Sequence, residues 1–252
     1  MMIESDLRDQ VQAIRDCSSP EDLNHILFEL SAAADFDHYQ FNLLFPSGLL
    51  QTNMSVFSNS PTDWQDYYWN NQLAADDPLI LLALRLAQPI FWHELARGKS
   101  YPINARNETV MRLRSEYGMQ DGVTIPIHNG QGHHGMLHLS CQQPLTDAYT
   151  ALAQIGTILP FVFNKACELM TPPQPNLSER ERECLFWVSE GKTSWEAARI
   201  LGITERTVNF HLNSAIRKTG CKNRYQAIAR NVAAGRLNPD LQRLNVTRFL
   251  QL

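Results

Sequence analysis

The sequence predicts an α+β domain followed by a separate, wholly helical one. Three observations carry this expectation: helix and strand signals alternate up to about residue 169, three prolines crowd residues 170–176, and helix-start signals recur closely after them. Proline lacks an amide donor and disfavours helix at the residue before it, so Met170–Asn176 reads as an extended linker. The expected division is 1–169 for the first domain, 170–176 for the linker, 177–237 for the second domain and 238–252 for a C-terminal extension.

In the first domain, Leu7–Ile14 and Pro20–Ala34 read as helices, the second opening on Glu21 and Asp22. His38–Leu44 and Gly48–Phe57 read as strands across the turn Pro46-Ser47-Gly48. Pro61–Asn70 and Pro78–Ala87 are short helices with proline near their starts, and Ala105–Tyr117 is a helix that Gly118 stops. Gly122–Ile127 and His134–Cys141 form a hairpin around Asn129-Gly130-Gln131-Gly132, which leaves His133-His134 as exposed loop surface. A long apolar helix, Leu145–Leu169, closes the domain. Helices flanking a central, largely antiparallel sheet make an α/β/α sandwich.

The second domain is read from its caps. Ser178 with Glu181 and Thr193 with Glu196 have capping-box spacing, Gly191 and Gly202 fall where helices must stop, and Thr204 caps a third helix reaching about Thr219. Two helices around a tight glycine turn form a helix-turn-helix unit. On the third helix, at ~100° per residue, Leu212, Ala215 and Thr219 fall within about 40° of Val208 and form the inner face. Arg206, Phe210, Asn213 and Arg217 lie on the opposite side, with Thr207 and Asn209 at its edge. Arginine and asparagine there suit guanine and adenine edges, and an outward phenylalanine suits a thymine methyl. Lys218, Lys222 and Arg224 lie nearby and suit phosphates.

Charge agrees with this division. Of the chain's 22 Lys and Arg, 13 lie from Asn176 onward, against 7 of its 26 Asp and Glu, so that part carries +6 and the remainder −10. Only the C-terminal part is suited to a polyanion. The five cysteines (Cys17, Cys141, Cys167, Cys184, Cys221) lack metal-ligand or CxxC spacing and read as reduced cytosolic thiols. The charged N-terminus is not a secretory signal, and no apolar run approaches the ~20 residues of a membrane span, so the expected location is the cytoplasm. No Ser-His-Asp order, metal cluster or phosphate loop stands out, which argues against an enzyme and against any cofactor or metal.

The string Leu177-Ser-Glu-Arg-Glu-Arg-Glu-Cys-Leu185, Gly191-Lys-Thr193, Glu196-Ala-Ala198 and Leu201-Gly-Ile-Thr-Glu-Arg-Thr-Val-Asn-Phe-His211, continued by Asn223-Arg224 and Ala227, resembles the LuxR-type helix-turn-helix. That resemblance implies four helices, the fourth at about Arg224–Gly235 commonly pairing two heads. Separately, Trp64, Tyr68, Asp77-Pro78, Trp92 and Gly122 resemble the pattern of the autoinducer-binding domain of quorum-sensing LuxR regulators. Together the resemblances imply a receptor for an N-acyl-homoserine lactone that binds operator DNA as a homodimer, with RNA polymerase among its candidate partners. They imply that Asp77 accepts the ligand amide N–H, that the Trp64 indole donates to the lactone carbonyl, that Tyr68 and Trp92 form walls, and that Ser140 faces the acyl chain.

Where the family has a tyrosine donating to the acyl carbonyl, this chain has Ser60, whose shorter side chain leaves three readings open: Ser140 substitutes, water bridges, or the ligand differs. Burying Asp77 without a donor would cost several kcal/mol, so an unfilled site is expected to be loosely ordered. The alternative function is a regulator of the same fold that answers a different small molecule or none. A phosphorylation-driven receiver domain is not indicated, because it needs a doubly wound parallel sheet. The extension beyond Leu237 carries Leu241, Leu244, Val246, Phe249 and Leu250 at roughly helical spacing.

Overall fold

The computed structural model describes residues 7–48, 51–96, 101–145, 148–173 and 175–237; the apolar residues of the C-terminal extension lie outside them. The chain forms two compact units, the first comprising most residues up to Pro172 and the second most of those from Pro173.

The first unit is an α+β sandwich. Helices α1 (Leu7–Asp16) and α2 (Pro20–Ala33) precede strands β1 (His38–Gly48) and β2 (Gln51–Ser58). Then come α3 (Thr62–Asn70), a 3-10 turn at Leu73–Ala75, α4 (Pro78–Ala83), β3 (Ile90–Phe91), α5 (Trp92–Ala96) and α6 (Ala105–Glu116). The hairpin β4 (Asp121–His128) and β5 (His134–Cys141) and the long helix α7 (Ala148–Met170) complete it. The sheet order is β2-β1-β5-β4-β3, and the pairs β1–β5, β5–β4 and β4–β3 are antiparallel.

Both sheet faces are covered, and alternation along the strands assigns each residue to one of two cores. Tyr39, Phe41, Leu43, Val123, Ile125, Leu137 and Leu139 pack with α1, α2 and α7. Leu44 and Met136 belong to the other core, with Trp64, Tyr68, Leu79, Trp92 and Val110 from α3 to α6. The second face is unusual in being polar at its centre. Gln40 is opposite His138, which is opposite Thr124, so one row across three strands carries three buried polar side chains.

Several expectations shift. The short elements β3 and α5 have no counterpart in the sequence reading, β1 continues to Gly48 through Pro46, and α4 stops at Ala83 rather than Ala87. His133 is not exposed: it is 3% accessible. The Asn129 N–H donates to the His133 carbonyl (3.2 Å) and the His133 N–H to Asn129 Oδ1 (3.1 Å). His134 lies in β5, with Nδ1 2.9 Å from His128 Nδ1.

The second unit holds α8 (Glu179–Ser189), α9 (Ser194–Leu201), α10 (Glu205–Lys218) and α11 (Arg224–Ala233). Both capping boxes form, and Gly202 ends α9 in the left-handed region at φ +67°, where glycine carries no Cβ penalty. Leu177, Leu185, Ala197, Val208, Leu212, Ala215 and Ala227 make its core. Among the described residues, no helix is long and apolar enough to cross a membrane.

Candidate functional site

Asp77 is the centre of the first unit's site. It is the N-cap of α4, with Oδ1 accepting the Leu79 N–H at 2.9 Å, and Pro78 takes the first helical position, where its missing N–H costs nothing. Its other oxygen, Oδ2, accepts from the Tyr68 hydroxyl at 2.8 Å and from Arg114 Nη2 at 2.6 Å. Asp77 and Arg114 are each 1% exposed, so this is a buried ion pair. The expectation that an unfilled site leaves Asp77 without a donor, and so loosely ordered, is therefore corrected: three protein donors already bond to it.

Around the pair stand the aromatic side chains. Tyr68 follows Trp64 by one helical turn on α3, and their rings lie 5.3 Å apart. The Tyr117 ring also lies 5.4 Å from that of Trp64. The Arg114 guanidinium carbon is 5.2 Å from both the Trp64 and Trp92 rings and 6.0 Å from the Tyr68 ring, within reach of a cation–π attraction to each. Trp92 lies against the backbone of Gly122: a Cβ there would meet the ring at 3.1 Å and the Leu139 carbonyl oxygen at 2.2 Å, so the position requires glycine.

The polar row of the sheet adjoins this cluster. The Trp92 indole N–H donates to Thr124 Oγ1 (2.9 Å), which bonds to His138 Nδ1 (2.9 Å). His138 Nε2 meets Asn42 Nδ2 (3.2 Å), and Asn42 Oδ1 accepts from Gln40 Nε2 (3.0 Å). Complete burial, aided by the Arg114 charge, pulls His138 down to about 3, so its imidazole is neutral at physiological pH. Burial and the neighbouring Asp77 carboxylate push Tyr68 upward, which keeps its hydroxyl a donor.

The six residues singled out for this site divide into two groups. Trp64, Tyr68, Asp77 and Trp92 come together in one cluster. Ser140 is buried on β5 two residues beyond His138, on the same sheet face, opposite Gly122. Ser60 is buried before α3, where its hydroxyl accepts from Ser58 Oγ at 3.0 Å. Sequence reasoning missed Arg114, His138, Thr124, Asn42 and Gln40. A polar residue at every second position of strands covered on both faces was the available signal.

His138 makes a pH prediction. Its pKa falls from 6.5 to about 3 on folding, so between those values the unfolded chain binds a proton that the folded chain excludes. Its contribution is complete above about pH 6.5 and is lost as pH falls toward 3, by up to about 1.4 kcal/mol per pH unit. His138→Gln should flatten the stability profile between pH 6.5 and 4 by up to that slope. Parallel profiles for the two proteins in chemical denaturation would refute the assignment.

In the second unit, α10 presents the proposed reading face. Phe210 is 64% exposed, and Arg206, Asn213 and Arg217 are exposed beside it, whereas Val208, Leu212, Ala215 and Thr219 are buried. Two side chains of the set are already engaged. Asn209 Oδ1 accepts from the Ser194 hydroxyl at 2.8 Å, and Lys218 Nζ lies 2.9 Å from Glu181 Oε2. Burial would raise Glu181, but hydrogen bonds from Lys218, Ser214 and the Ser178 N–H outweigh it and hold the carboxyl down at about 2. Thr207 is half-buried, its hydroxyl 2.8 Å from that of Thr204, and Lys222 and Arg224 are exposed. On α9, exposed Trp195 lies beneath the Arg199 guanidinium at 5.1 Å.

An α+β domain with a buried polar and aromatic cluster, joined to a helix-turn-helix domain, is the architecture of a two-domain transcriptional regulator. Residues 19–166 match the autoinducer binding domain and residues 175–230 the bacterial regulatory proteins of the luxR family. The chain belongs to the LuxR family of quorum-sensing transcriptional regulators, which are not enzymes. It is 37% identical to the transcriptional activator protein AhyR of Aeromonas hydrophila over 91% of each chain. It is 29% identical to the transcriptional activator protein LuxR of Aliivibrio fischeri, covering 90% of this chain and 93% of that one. Escherichia coli SdiA shares the fold, with a TM-score of 0.76 at 23% identity over 92% of this chain and 98% of SdiA. SdiA in complex with octanoyl-rac-glycerol gives 0.77 at 22% identity, over 92% and 96%.

Proposed function

We propose that the chain is a cytoplasmic receptor for an N-acyl-homoserine lactone that binds operator DNA as a homodimer. The observation that carries this reading is Asp77: a carboxylate buried among Trp64, Tyr68 and Trp92, with three donors occupying three of its roughly four acceptor sites. One site remains for a ligand amide N–H. Trp64 and Trp92 supply apolar walls to a lactone head, and Ser60 and Ser140 supply hydroxyls further out. Ligand completes this core, stabilises the dimer and sets the spacing of the two heads along the operator. Exposed Tyr225 and Val232, seven residues apart and so on one side of α11, support pairing of two heads through that helix. RNA polymerase is the partner such a regulator would engage at a promoter.

A second reading, a ligand of another class, is favoured by Ser60, whose hydroxyl is engaged by Ser58. Thermal melting of the full chain against acyl-homoserine lactones of four to twelve carbons separates the two. Ligand at a hundredfold excess over its Kd adds about 2.7 kcal/mol, and each kcal/mol raises the melting temperature by about 2–4 °C. The expected result is a saturable rise of several degrees with one chain length. No rise with any lactone, from folded protein, would move the assignment to the second reading.

A further inference from the structure

Resting on the lactone reading, Asp77 keeps one open acceptor position and Arg114 keeps an unused donor. In the polar row, both His138 ring nitrogens have partners, the Trp92 N–H is spent on Thr124, and Gln40 and Asn42 bond to one another. Arg114 differs. Its Nη2 is committed to Asp77, yet its Nε is buried with no hydrogen-bond partner. Buried donors are nearly always satisfied, because leaving one unmade forfeits its hydration without return. This donor belongs to the Trp64, Tyr68 and Trp92 cluster, since the guanidinium carbon is within 6.0 Å of all three rings.

The pairing of Arg114 with Asp77 also fixes what can satisfy it. The open acceptor position of Asp77 and this donor belong to one carboxylate–guanidinium pair, and together they complement a ligand that presents an N–H and a C=O on one edge. A secondary amide cannot do this alone: it is trans, so its own carbonyl points away from its N–H. A second carbonyl at position 3 of the acyl chain can. With the two carbonyl dipoles opposed, the 3-carbonyl oxygen lies on the N–H side.

We propose that Arg114 is a specificity-determining residue, donating to a 3-position carbonyl oxygen beside the amide N–H that Asp77 accepts, so that the site selects 3-oxoacyl over unsubstituted acyl-homoserine lactones. The guanidinium suits this role because it is planar, permanently charged and able to serve two acceptors at once, which a lysine ammonium does less well.

Ligand affinity of the full chain, measured by calorimetry, tests this with pairs of lactones of equal length with and without the 3-oxo group, at four, six and eight carbons. The expected result is at least a tenfold preference for the 3-oxo member at the best length. Arg114→Lys keeps a cation beside Asp77 and should bring that ratio close to one, the readout being the ratio of the two affinities and not either affinity alone. Equal affinities in the unaltered protein would overturn the proposal and leave the receptor reading standing. Equal weakening of both ligands in Arg114→Lys would also overturn it, because Arg114 would then be holding Asp77 or a lactone oxygen common to both. Binding of neither series would instead remove the lactone reading itself. If Arg114→Lys does not fold, the comparison of paired ligands on the unaltered protein decides alone.

Discussion

Arg114→Met should cost about 3–5 kcal/mol of stability, because it strands the Asp77 carboxylate in an apolar surround. Asp77 would keep the Tyr68 hydroxyl and the Leu79 N–H, two hydrogen bonds with no compensating charge. The cost belongs to the broken pair more than to the arginine. Buried ion pairs replaced whole by apolar groups are often close to neutral, since the attraction lost is offset by the desolvation avoided. Arg114→Met combined with Asp77→Leu should therefore recover most of the loss, and a double-mutant cycle in denaturant should give a coupling of several kcal/mol. A single-substitution cost under about 1 kcal/mol, or additive costs in the double variant, would show that the pair is not a desolvated charge pair. The pair also explains why the site need not be loosely ordered before it binds anything. Its charges are matched within the fold, and a ligand adds to a set of bonds already made.

The parts legible in the sequence are those whose signal is local. The capping boxes at Ser178 and Thr193, the glycine stop at Gly202 and the two faces of α10 follow from residues within one or two helical turns of each other. The aromatic cluster was legible only through the resemblance to the autoinducer-binding domain, whose pattern Trp64, Tyr68, Asp77-Pro78 and Trp92 match; singly, each reads as a core aromatic or a helix cap. Arg114 was not. On α6, charged residues occur all around the helix (Arg106, Glu108, Arg112, Arg114, Glu116), so nothing along the chain marks which arginine turns inward. Its partner is 37 residues away, and only tertiary packing brings them together. His138 hid for a different reason. On β5 it alternates with Leu137 and Leu139 as an outward polar residue would, but the face it occupies is covered by α3 to α6. At two residues, β3 is too short to show any period.

Arg206→Ala and Asn213→Ala should each weaken binding to specific DNA by about 1–3 kcal/mol, between fivefold and more than a hundredfold, and relax base preference where each reads. Both side chains are exposed on α10, opposite the Val208, Leu212 and Ala215 face that holds the head together, so neither substitution opens a cavity. Phe210→Ala belongs with them, since its ring is largely solvent-exposed and its loss should be felt in DNA affinity rather than in folding. The neighbouring cations should behave differently. Lys222→Ala and Arg224→Ala should weaken all sequences alike and reduce the salt dependence of binding by about one counterion each. Lys218→Ala should combine a weaker phosphate contact with a loss of stability, because Glu181 would lose its 2.9 Å partner. The measurement is affinity for duplexes that the unaltered protein selects from a random pool, at two salt concentrations, with ligand binding followed in parallel. Ligand binding should survive every one of these changes. If Arg206→Ala and Asn213→Ala together leave both affinity and base preference within about twofold, α10 is not the helix that reads the groove.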